Sequence, residues 1–329
     1  MSHSWLNSLV SDGKRHALPI LTSPGMALIG AGAAEVFRSG ELQFQAVQAL
    51  VGRFPMAAAM TMMDLSVEAE AFGAPVQFSE QENPNITGAV LHDLTAVDQL
   101  HVPQIGSHRT GEVLFAARRC AAEIKDRPTL GGMIGPFSLC GRLYEMSKMM
   151  LATMTEPEPL HRLLQKATDF LVEYALAFRA TGCHGLIMAE PAAGLISPKM
   201  ADQFSYRYIR QIVDAVKNED FVFILHNCGK TEKMLAEMTA TGASALHLGN
   251  AIDITNALRQ AEIPVMGNID PSSVFLLGTP DAVFQKTSEL LRATSPFPHF
   301  VLSSGCDIPP MTPIANITAF FDALDEYNR

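Results

Sequence analysis

The chain has 329 residues, of which 48% are hydrophobic and 18% charged, which is enough for one large α/β barrel or two ordinary domains. Its formal net charge of −10 argues against nucleic acid as the main partner, because no stripe of lysine or arginine offsets the acidic residues. No uncharged apolar segment reaches membrane-spanning length, and residues 1–7 lack the pattern of a signal peptide. We therefore expect a cytoplasmic protein that binds neither nucleic acid nor a membrane.

Short apolar segments alternate with longer amphipathic segments along the whole chain, which is typical of a parallel sheet covered by helices. Eight such segments predict strands, at 17–23, 56–64, 130–136, 185–190, 221–228, 245–250, 265–270 and 300–306. Each is followed by helical sequence, so the pattern favours a single (β/α)8 TIM barrel domain over residues 1–329. An open doubly wound sheet is the structural alternative, because counting strands does not establish closure.

Helical periodicity is clearest in five segments, 158–181, 198–217, 230–241, 280–293 and 313–327. Several of them begin at a proline, which fits the first helical turn because its missing N–H would have no partner there. They supply part of the helical layer that a barrel of parallel strands requires.

Two parts of the sequence fall outside the repeating strand–helix units. Residues before the first predicted strand form an N-terminal elaboration. Residues 73–109, rich in proline, glutamate and histidine, are too long for an ordinary connection. We predict that the second segment is an insertion over one mouth of the barrel.

Polar residues end several of the otherwise apolar predicted strands. Catalytic groups of (β/α)8 barrels gather at the carboxyl ends of the strands, so these residues are candidates for a site. They are Asp64, Glu190, His226 with Cys228, Asn250, Asn268 with Asp270, and Cys306 with Asp307.

His226 and Cys228 are two residues apart at the end of one predicted strand, so both side chains can leave the same face. Cys306 ends the last predicted strand. One imidazole and two thiolates form a ligand set for zinc with one coordination position left over, whereas oxygen ligands would indicate magnesium or calcium. An HxC pair alone is often accidental, and a buried cysteine is usually a small apolar residue; the second cysteine strengthens the zinc hypothesis.

The remaining cysteines and one further histidine have simpler interpretations. Five cysteines scattered over a long chain fit thiols that are kept reduced. We assign Cys120, Cys140 and Cys183, in helical sequence, to packing. His247 lies within the next predicted strand and is either a hydrogen-bonded core residue or a partner of a metal ligand.

Two glycine-containing segments resemble nucleotide-binding motifs only superficially. Residues 30–35 lack the third glycine of a dinucleotide fingerprint, and Gly229-Lys230-Thr231 has Ile224 where a phosphate loop needs glycine. Neither segment indicates a nucleotide-dependent enzyme.

Four motifs spread over nearly the whole chain carry a family resemblance. They are residues 63–73 (MDLSVEAEAFG), the HxC of His226 and Cys228, residues 267–271 (GNIDP) followed by 278–280 (GTP), and residues 304–309 (SGCDIP). The chain resembles the cobalamin-dependent methyltransferases of the uroporphyrinogen decarboxylase superfamily, typified by methylcobamide:coenzyme M methyltransferases. In that family the HxC and the distant cysteine hold a catalytic zinc ion.

The resemblance implies transfer of a methyl group between a corrinoid on a separate carrier protein and a zinc-activated acceptor, such as a thiol. Zinc is then the cofactor, and the methylcobamide is a co-substrate. Glu190 and Asp270 are candidate catalytic residues that orient the acceptor, balance charge or provide a fourth ligand, although each would also suit a helix cap. Candidate substrate-binding residues are Asp64, for which capping is the simpler interpretation, and Asn227, Asn268 and Asp307.

Other functions remain open at the level of sequence. The decarboxylase branch of the superfamily is less similar, because Arg15 is the only arginine in the first 37 residues and the arginine-bearing motif of that branch is missing. A non-catalytic zinc-binding or corrinoid-carrier module is a further alternative, although the Asp-x-His-x-x-Gly pattern of cobalamin carriers is absent. The acceptor is coenzyme M, another thiol or tetrahydrofolate.

Overall fold

The protein is described by a computed structural model that covers residues 5–216 and 220–329. Within these residues, seven parallel strands form one curled sheet in which each strand pairs with the next along the chain. In sheet order they are β1 (Ala59–Met60), β4 (Thr129–Ile134), β5 (Gly185–Ala189), β6 (Val222–Asn227), β7 (Ala245–Leu248), β8 (Val265–Ile269) and β9 (Phe300–Ser304). The predicted α/β class with a parallel sheet is confirmed.

The predicted strand at 17–23 is wrong as a regular strand. It forms only an isolated bridge between Ala17 and Leu302. Pro19 has no N–H to donate, so the ladder cannot continue through it. Even so, the Leu18 N–H donates to the Leu302 carbonyl over 2.9 Å, and the Ala57 N–H donates to the Ala17 carbonyl over 2.8 Å. One irregular segment therefore lies between β9 and the residues leading into β1.

Fifteen α-helices lie within the described part of the chain. They are α1 (Trp5–Ser11), α2 (Gly25–Ile29), α3 (Ala33–Val36), α4 (Gly40–Arg53), α5 (Val67–Ala71), α6 (Arg109–Glu123), α7 (Pro136–Tyr144), α8 (Met146–Thr155), α9 (Pro157–Ala180), α10 (Pro198–Ala201), α11 (Arg207–Val216), α12 (Leu235–Thr239), α13 (Ile254–Gln260), α14 (Pro280–Thr294) and α15 (Ile314–Asn328). Short 3-10 helices span Leu94–Gln99 and Pro191–Leu195.

Three of the five predicted helices, those matching α9, α14 and α15, agree with the structure to within one residue at each end. The predicted helix 198–217 is interrupted by a π-helical segment, Asp202–Tyr206, and its last residue lies outside the described residues. The predicted helix 230–241 is shortened to α12, because the chain makes a turn first, in which the Thr231 N–H donates to the Gly229 carbonyl.

The predicted insertion at 73–109 contains a two-stranded antiparallel hairpin, β2 (Val76–Gln77) with β3 (Asn85–Ile86). The first residue of α6, Arg109, ends it. Residues 83–85 form part of the wall of the first cavity described below, and residues 86–89 form part of the wall of the second.

Alternate residues of the strands separate the core into two layers. Val222 and Ile224 of β6 pack inside the curled sheet with apolar residues of the other strands, whereas Phe223 and Leu225 pack outward against the helices. His226 continues the inward series. The fold therefore directs this histidine toward the interior of the sheet at the end of β6.

Candidate metal centre and adjoining cavities

Three potential metal ligands from distant parts of the chain lie together at the carboxyl end of the sheet. His226 belongs to β6, Cys228 follows that strand, and Cys306 lies two residues beyond β9. Their ligand atoms all lie within 4.8 Å of one another. The two parallel strands therefore place one nitrogen and two sulfur ligands around a common point, as the spacing in the sequence predicts.

The chemistry of these three side chains fits a zinc ion. The Nε2 atom of His226 is buried and has no hydrogen-bond partner among the described residues. A buried nitrogen without a partner is costly unless a ligand satisfies it. The pKa of Cys228 is lowered, chiefly because the Cys306 thiol hydrogen-bonds to its sulfur. These donors are ones that zinc prefers, and they would supply three of its four ligands.

Hydrogen bonds on the far side of His226 fix which ring nitrogen carries the proton. The Ser303 hydroxyl donates to the Leu18 carbonyl over 2.7 Å, so its oxygen accepts from His247 Nε2 at 2.8 Å. Fully buried His247, whose pKa burial and His226 hold well below its ordinary value, is neutral. Its Nδ1 therefore accepts from His226 Nδ1 at 2.8 Å. His226 is left with a lone pair on Nε2, which is the tautomer that a metal ligand requires.

A cavity of about 260 Å³ opens beside the three ligands. His226, Cys228 and Cys306 form part of its wall, and Ile20, Met63 and Leu65 are among its apolar residues. A second cavity, of about 550 Å³, lies next to it, between the residues that follow β3 and helix α7. Arg142 and Pro191 belong to the walls of both cavities.

Asp64 lines the first cavity but is engaged in a buried ion pair. One carboxylate oxygen accepts from Arg109 Nη1, and the other accepts from the Ser66 N–H at 2.9 Å and the Ser66 hydroxyl at 2.6 Å. Arg109 also donates from Nε to Glu70. This network joins α5 to α6, so Asp64 combines a place in the cavity wall with a structural function.

Asp307 is the second acidic residue in the wall of the first cavity. It accepts hydrogen bonds from the Thr22 hydroxyl at 3.2 Å, the Ser23 hydroxyl at 3.3 Å and the Asn83 amide at 3.1 Å. Burial raises the pKa of Asp307 to about 7, and these hydrogen bonds oppose the rise. Asn83, from the predicted insertion, is thereby attached to the loop that carries Cys306.

Glu190 and Asp270 are engaged with backbone groups rather than with the cavities. The fully buried carboxylate of Glu190 accepts from the N–H groups of Phe137 at 2.9 Å and Ser138 at 2.7 Å, and so caps α7. Burial raises the pKa of Glu190, against these hydrogen bonds. Burial also acts to raise the pKa of Asp270, but the N–H groups of Ser273 and Ser272 outweigh it, and the net shift is downward.

Asn227 and Asn268 also hold the backbone near the site. The Asn227 amide nitrogen donates to the Glu190 carbonyl over 2.6 Å, and its oxygen accepts from the Gly229 N–H at 2.8 Å. Asn268 donates to the carbonyls of Gly249 at 3.0 Å and Ile252 at 3.1 Å. Neither side chain is among the described residues that line the two cavities.

Residues outside the predicted set complete the site. Arg142 lies within a helix, where no strand-end signal identifies it. Ser303 is an ordinary strand residue by sequence. For His247 the sequence leaves two interpretations, a partner of a metal ligand and, more simply, a hydrogen-bonded core histidine. The alternation of inward and outward residues along β6 and β7 could have identified His247. It pairs with His226 in the sheet register, as neighbouring inward positions of parallel strands do.

The other three cysteines are buried and lie apart from the metal-ligand cluster. Cys120 belongs to α6 and Cys140 to α7, in agreement with the prediction. Cys183 lies in the connection between α9 and β5, so its assignment to helical sequence was wrong. Burial raises the pKa of all three thiols, which keeps them protonated.

Relatives of the chain fall into two functional groups. The methylcobamide:CoM methyltransferase MtbA of Methanosarcina mazei is 29% identical over 269 residues, which cover 80% of this chain and 78% of the relative. A uroporphyrinogen decarboxylase of Pseudoalteromonas translucida is 26% identical over 308 residues, covering 88% of this chain and 84% of the relative. Sequence similarity alone therefore leaves both activities in consideration.

Solved structures support the fold. A methyltransferase from Methanosarcina mazei superposes with a TM-score of 0.88 at 24% identity, and the match covers 99% of each chain. A B12-independent methionine synthase from Shewanella superposes with a TM-score of 0.56 at 14% identity, over 95% of this chain and 94% of that one.

In the described parts of the chain, none of the helices combines the length and the apolar character needed to cross a membrane. The family model described as uroporphyrinogen decarboxylase (URO-D) matches residues 15–327, nearly the full length. The chain belongs to the uroporphyrinogen decarboxylase family.

Proposed function

We propose that this protein is a corrinoid-dependent methyltransferase in which His226, Cys228 and Cys306 hold a catalytic zinc ion. The observation that carries the proposal is the convergence of these three side chains in a cavity wall, with His226 Nε2 buried and without a hydrogen-bond partner in the described parts of the chain. The similarity to a methylcobamide:CoM methyltransferase supports the same reaction class. A metal-free decarboxylase would have no use for such a cluster.

A zinc ion bound by these residues would supply a positive charge that keeps an acceptor thiol deprotonated at neutral pH. Residues around the cluster orient its histidine and shield it from water. His247 and Ser303 keep the Nε2 lone pair of His226 directed toward the two sulfurs, as their hydrogen bonds require. The apolar side chains of Ile20, Met63 and Leu65 limit access of water to the reacting sulfur.

The chemical step is a nucleophilic substitution at carbon. The acceptor thiol gives up its proton, and its sulfur forms a bond to the methyl carbon. The cobalt–carbon bond of the methylcobamide breaks, and its electron pair stays on the corrinoid, which is carried by a separate protein. The chain supplies orientation and a low-dielectric environment, whereas the corrinoid supplies the reactive methyl group.

Within this proposal, the predicted catalytic and substrate-binding residues act in two ways. Asp64 and Asp307 lie in the cavity wall and contribute to its polarity. Glu190 positions α7, and Asp270 positions the segment after β8, through hydrogen bonds to backbone N–H groups. Asn227 and Asn268 hold the loops beside the metal ligands in the same manner.

Decarboxylation of a tetrapyrrole is the second candidate, because uroporphyrinogen decarboxylases match up to 89% of this chain. It differs from methyl transfer in needing neither zinc nor a corrinoid. The test is metal analysis of the purified protein, followed by spectroscopic assays of methylcobalamin demethylation with 2-mercaptoethanesulfonate, 2-mercaptoethanol and tetrahydrofolate, and of carbon dioxide release from uroporphyrinogen.

We expect stoichiometric zinc and thiol-dependent demethylation that is lost after treatment with a chelator. A protein that contains no zinc and demethylates methylcobalamin with none of the acceptors would contradict the proposal. Carbon dioxide release at the same rate with and without chelator would favour the decarboxylase.

A further inference from the structure

Two of the five cysteines, Cys228 and Cys306, line the first cavity, and their thiols lie beside each other. Both residues are only partly buried. Their sulfurs lie within 4.8 Å, and the Cys306 thiol hydrogen-bonds to the Cys228 sulfur. Two neighbouring thiols beside a cavity can be oxidised to a disulfide as well as bind a metal.

The other three cysteines differ from this pair in their access to small molecules. Cys120, Cys140 and Cys183 are buried, and none of them is among the described residues that line the first cavity. Burial also raises the pKa of each of these thiols. A thiol attacks an oxidant through its thiolate, so a buried and protonated thiol reacts slowly. Oxidation by a small molecule should therefore be confined to the pair in the cavity wall.

The backbone around the pair allows the two sulfurs to approach each other. Cys228 follows the last residue of β6, and Cys306 lies in a bend beyond β9, so neither belongs to a regular strand. The loop that carries Cys306 is nevertheless held in place, because the Gly305 N–H donates to the Ile269 carbonyl over 2.6 Å. A disulfide requires the sulfurs to approach to about 2 Å, which is a small movement of two side chains on loops.

We propose that Cys228 and Cys306 of the metal-free protein form a reversible disulfide in the presence of a peroxide, and that this bond excludes zinc from the site. The sulfur of one cysteine attacks an oxygen of hydrogen peroxide and becomes a sulfenic acid. The O–O bond breaks, and the thiol proton and the departing hydroxide give water.

The second cysteine then closes the disulfide. Its sulfur loses a proton, attacks the sulfenic sulfur and displaces hydroxide, which leaves as water with that proton. Two thiols are thereby oxidised, and one peroxide is reduced to two molecules of water. The neighbouring thiol decides this outcome, because an isolated sulfenic acid is oxidised further to a sulfinic acid.

The inference rests on the proposed function only for its consequence, because the disulfide itself requires neither zinc nor methyl transfer. A disulfide offers no thiolate to a metal, so His226 would be the one ligand of the three that remains. The same thiolate is both the metal ligand and the nucleophile, so a bound zinc ion competes with the peroxide. Zinc binding and oxidation therefore exclude each other at this site.

The test is treatment of the full-length, metal-free protein with hydrogen peroxide. We expect the number of free thiols in the denatured protein to fall from five to three, with a Cys228–Cys306 cross-link in peptide mass spectrometry. Zinc affinity, measured by competition with a chelator, should fall by more than about 100-fold, and a dithiol reductant should restore it. The zinc-loaded protein should be oxidised about tenfold more slowly.

Variants distinguish the disulfide from general oxidation. In C306S, the sulfenic acid on Cys228 has no neighbouring thiol, so we expect a sulfinic acid that a dithiol does not reverse. C228S is the reciprocal variant and serves the same test if C306S does not fold. C183S is the matched control and should keep the reversible cross-link.

Two results would overturn the inference. One is a wild-type protein in which Cys228 and Cys306 remain thiols or become sulfinic acids without a cross-link. The other is a cross-linked protein that binds zinc as tightly as the reduced protein. If the reversible cross-link forms while the reduced protein binds no zinc, the oxidisable pair stands and the proposed function fails.

Discussion

Two groups of polar residues lie at the carboxyl ends of the strands, and the partners of their atoms distinguish them. The ends of β6 and β9 carry His226, Cys228 and Cys306, and none of the residues in 5–216 and 220–329 hydrogen-bonds to the His226 Nε2 atom. The ends of β5 and β8 carry Glu190 and Asp270, whose carboxylates accept several backbone hydrogen bonds. A polar residue at a strand end is therefore not enough to identify a site. An atom left without a partner is the sharper indicator.

The largest expected effect is the loss of a metal ligand. In C228S or C306S, we expect zinc affinity and methyl-transfer rate to fall by more than about 100-fold, beyond the range for outer partners of a ligand. The fold should persist, because both residues are only partly buried. Metal analysis, circular dichroism and the methylcobalamin assay measure the three quantities. C183S, which alters a thiol outside the cluster, is the control. Equal zinc loss in C183S would show that Cys228 and Cys306 are not specific zinc ligands.

Replacing a residue of the second group should lower the stability of the fold and leave zinc binding unchanged. Replacing Glu190 with glutamine removes the charge from three hydrogen bonds, donated by Phe137, Ser138 and Ser205. We expect the free energy of unfolding to fall by about 3 kcal/mol, with zinc content unchanged. Chemical denaturation and metal analysis test this expectation. A folded E190Q protein with wild-type stability but no zinc would place Glu190 at the metal centre instead.

Ser303 tests the hydrogen-bond chain behind His226. S303A leaves the buried Leu18 carbonyl and His247 Nε2 without this hydroxyl, so the His247 ring that accepts from His226 is no longer anchored, and only the His247 carbonyl continues to accept from His226 Nδ1. We expect zinc affinity, measured by competition with a chelator, to fall by about 10- to 100-fold. S303T, which keeps the hydroxyl, should restore it. S304A is the matched control, because that hydroxyl accepts only from the Ile20 N–H; an equal effect in both alanine variants would indicate general destabilisation.

The smallest expected effect concerns Asp270 and pH. Its pKa lies below the ordinary value of 3.8, so the folded state favours the ionised form. The resulting stabilisation is complete above the unfolded pKa and is lost as pH falls through the lower folded pKa. We expect wild type to exceed D270N in stability by less than about 1 kcal/mol at pH 7, since the group is partly exposed.

Thermal unfolding of both proteins between pH 7 and strongly acidic buffer tests that expectation. The difference between them should shrink as the pH falls through the unfolded pKa, near 3.8, toward the lower folded pKa. A difference that grows as the pH falls would show that the pKa of Asp270 is raised in the folded state and not lowered.

Much of the fold and the metal cluster could be predicted from sequence, because both depend on local periodicity. Apolar segments of strand length give seven of the eight predicted strands, and an HxC spacing places His226 and Cys228 on one face. The first strand could not be predicted correctly, because Pro19 breaks a ladder that composition alone favours. The use of Glu190 as a cap for α7 depends on residues far away in sequence.

The last acceptor in the chain of hydrogen bonds behind His226 is the carbonyl of Leu18, which belongs to the irregular segment between β9 and the residues before β1. This has a consequence during protein synthesis. Leu18 is made long before Ser303, so the hydrogen-bond chain behind the imidazole is complete only when both segments have been synthesised. We therefore expect a nascent chain to acquire tight zinc affinity only after Ser303 has left the ribosome.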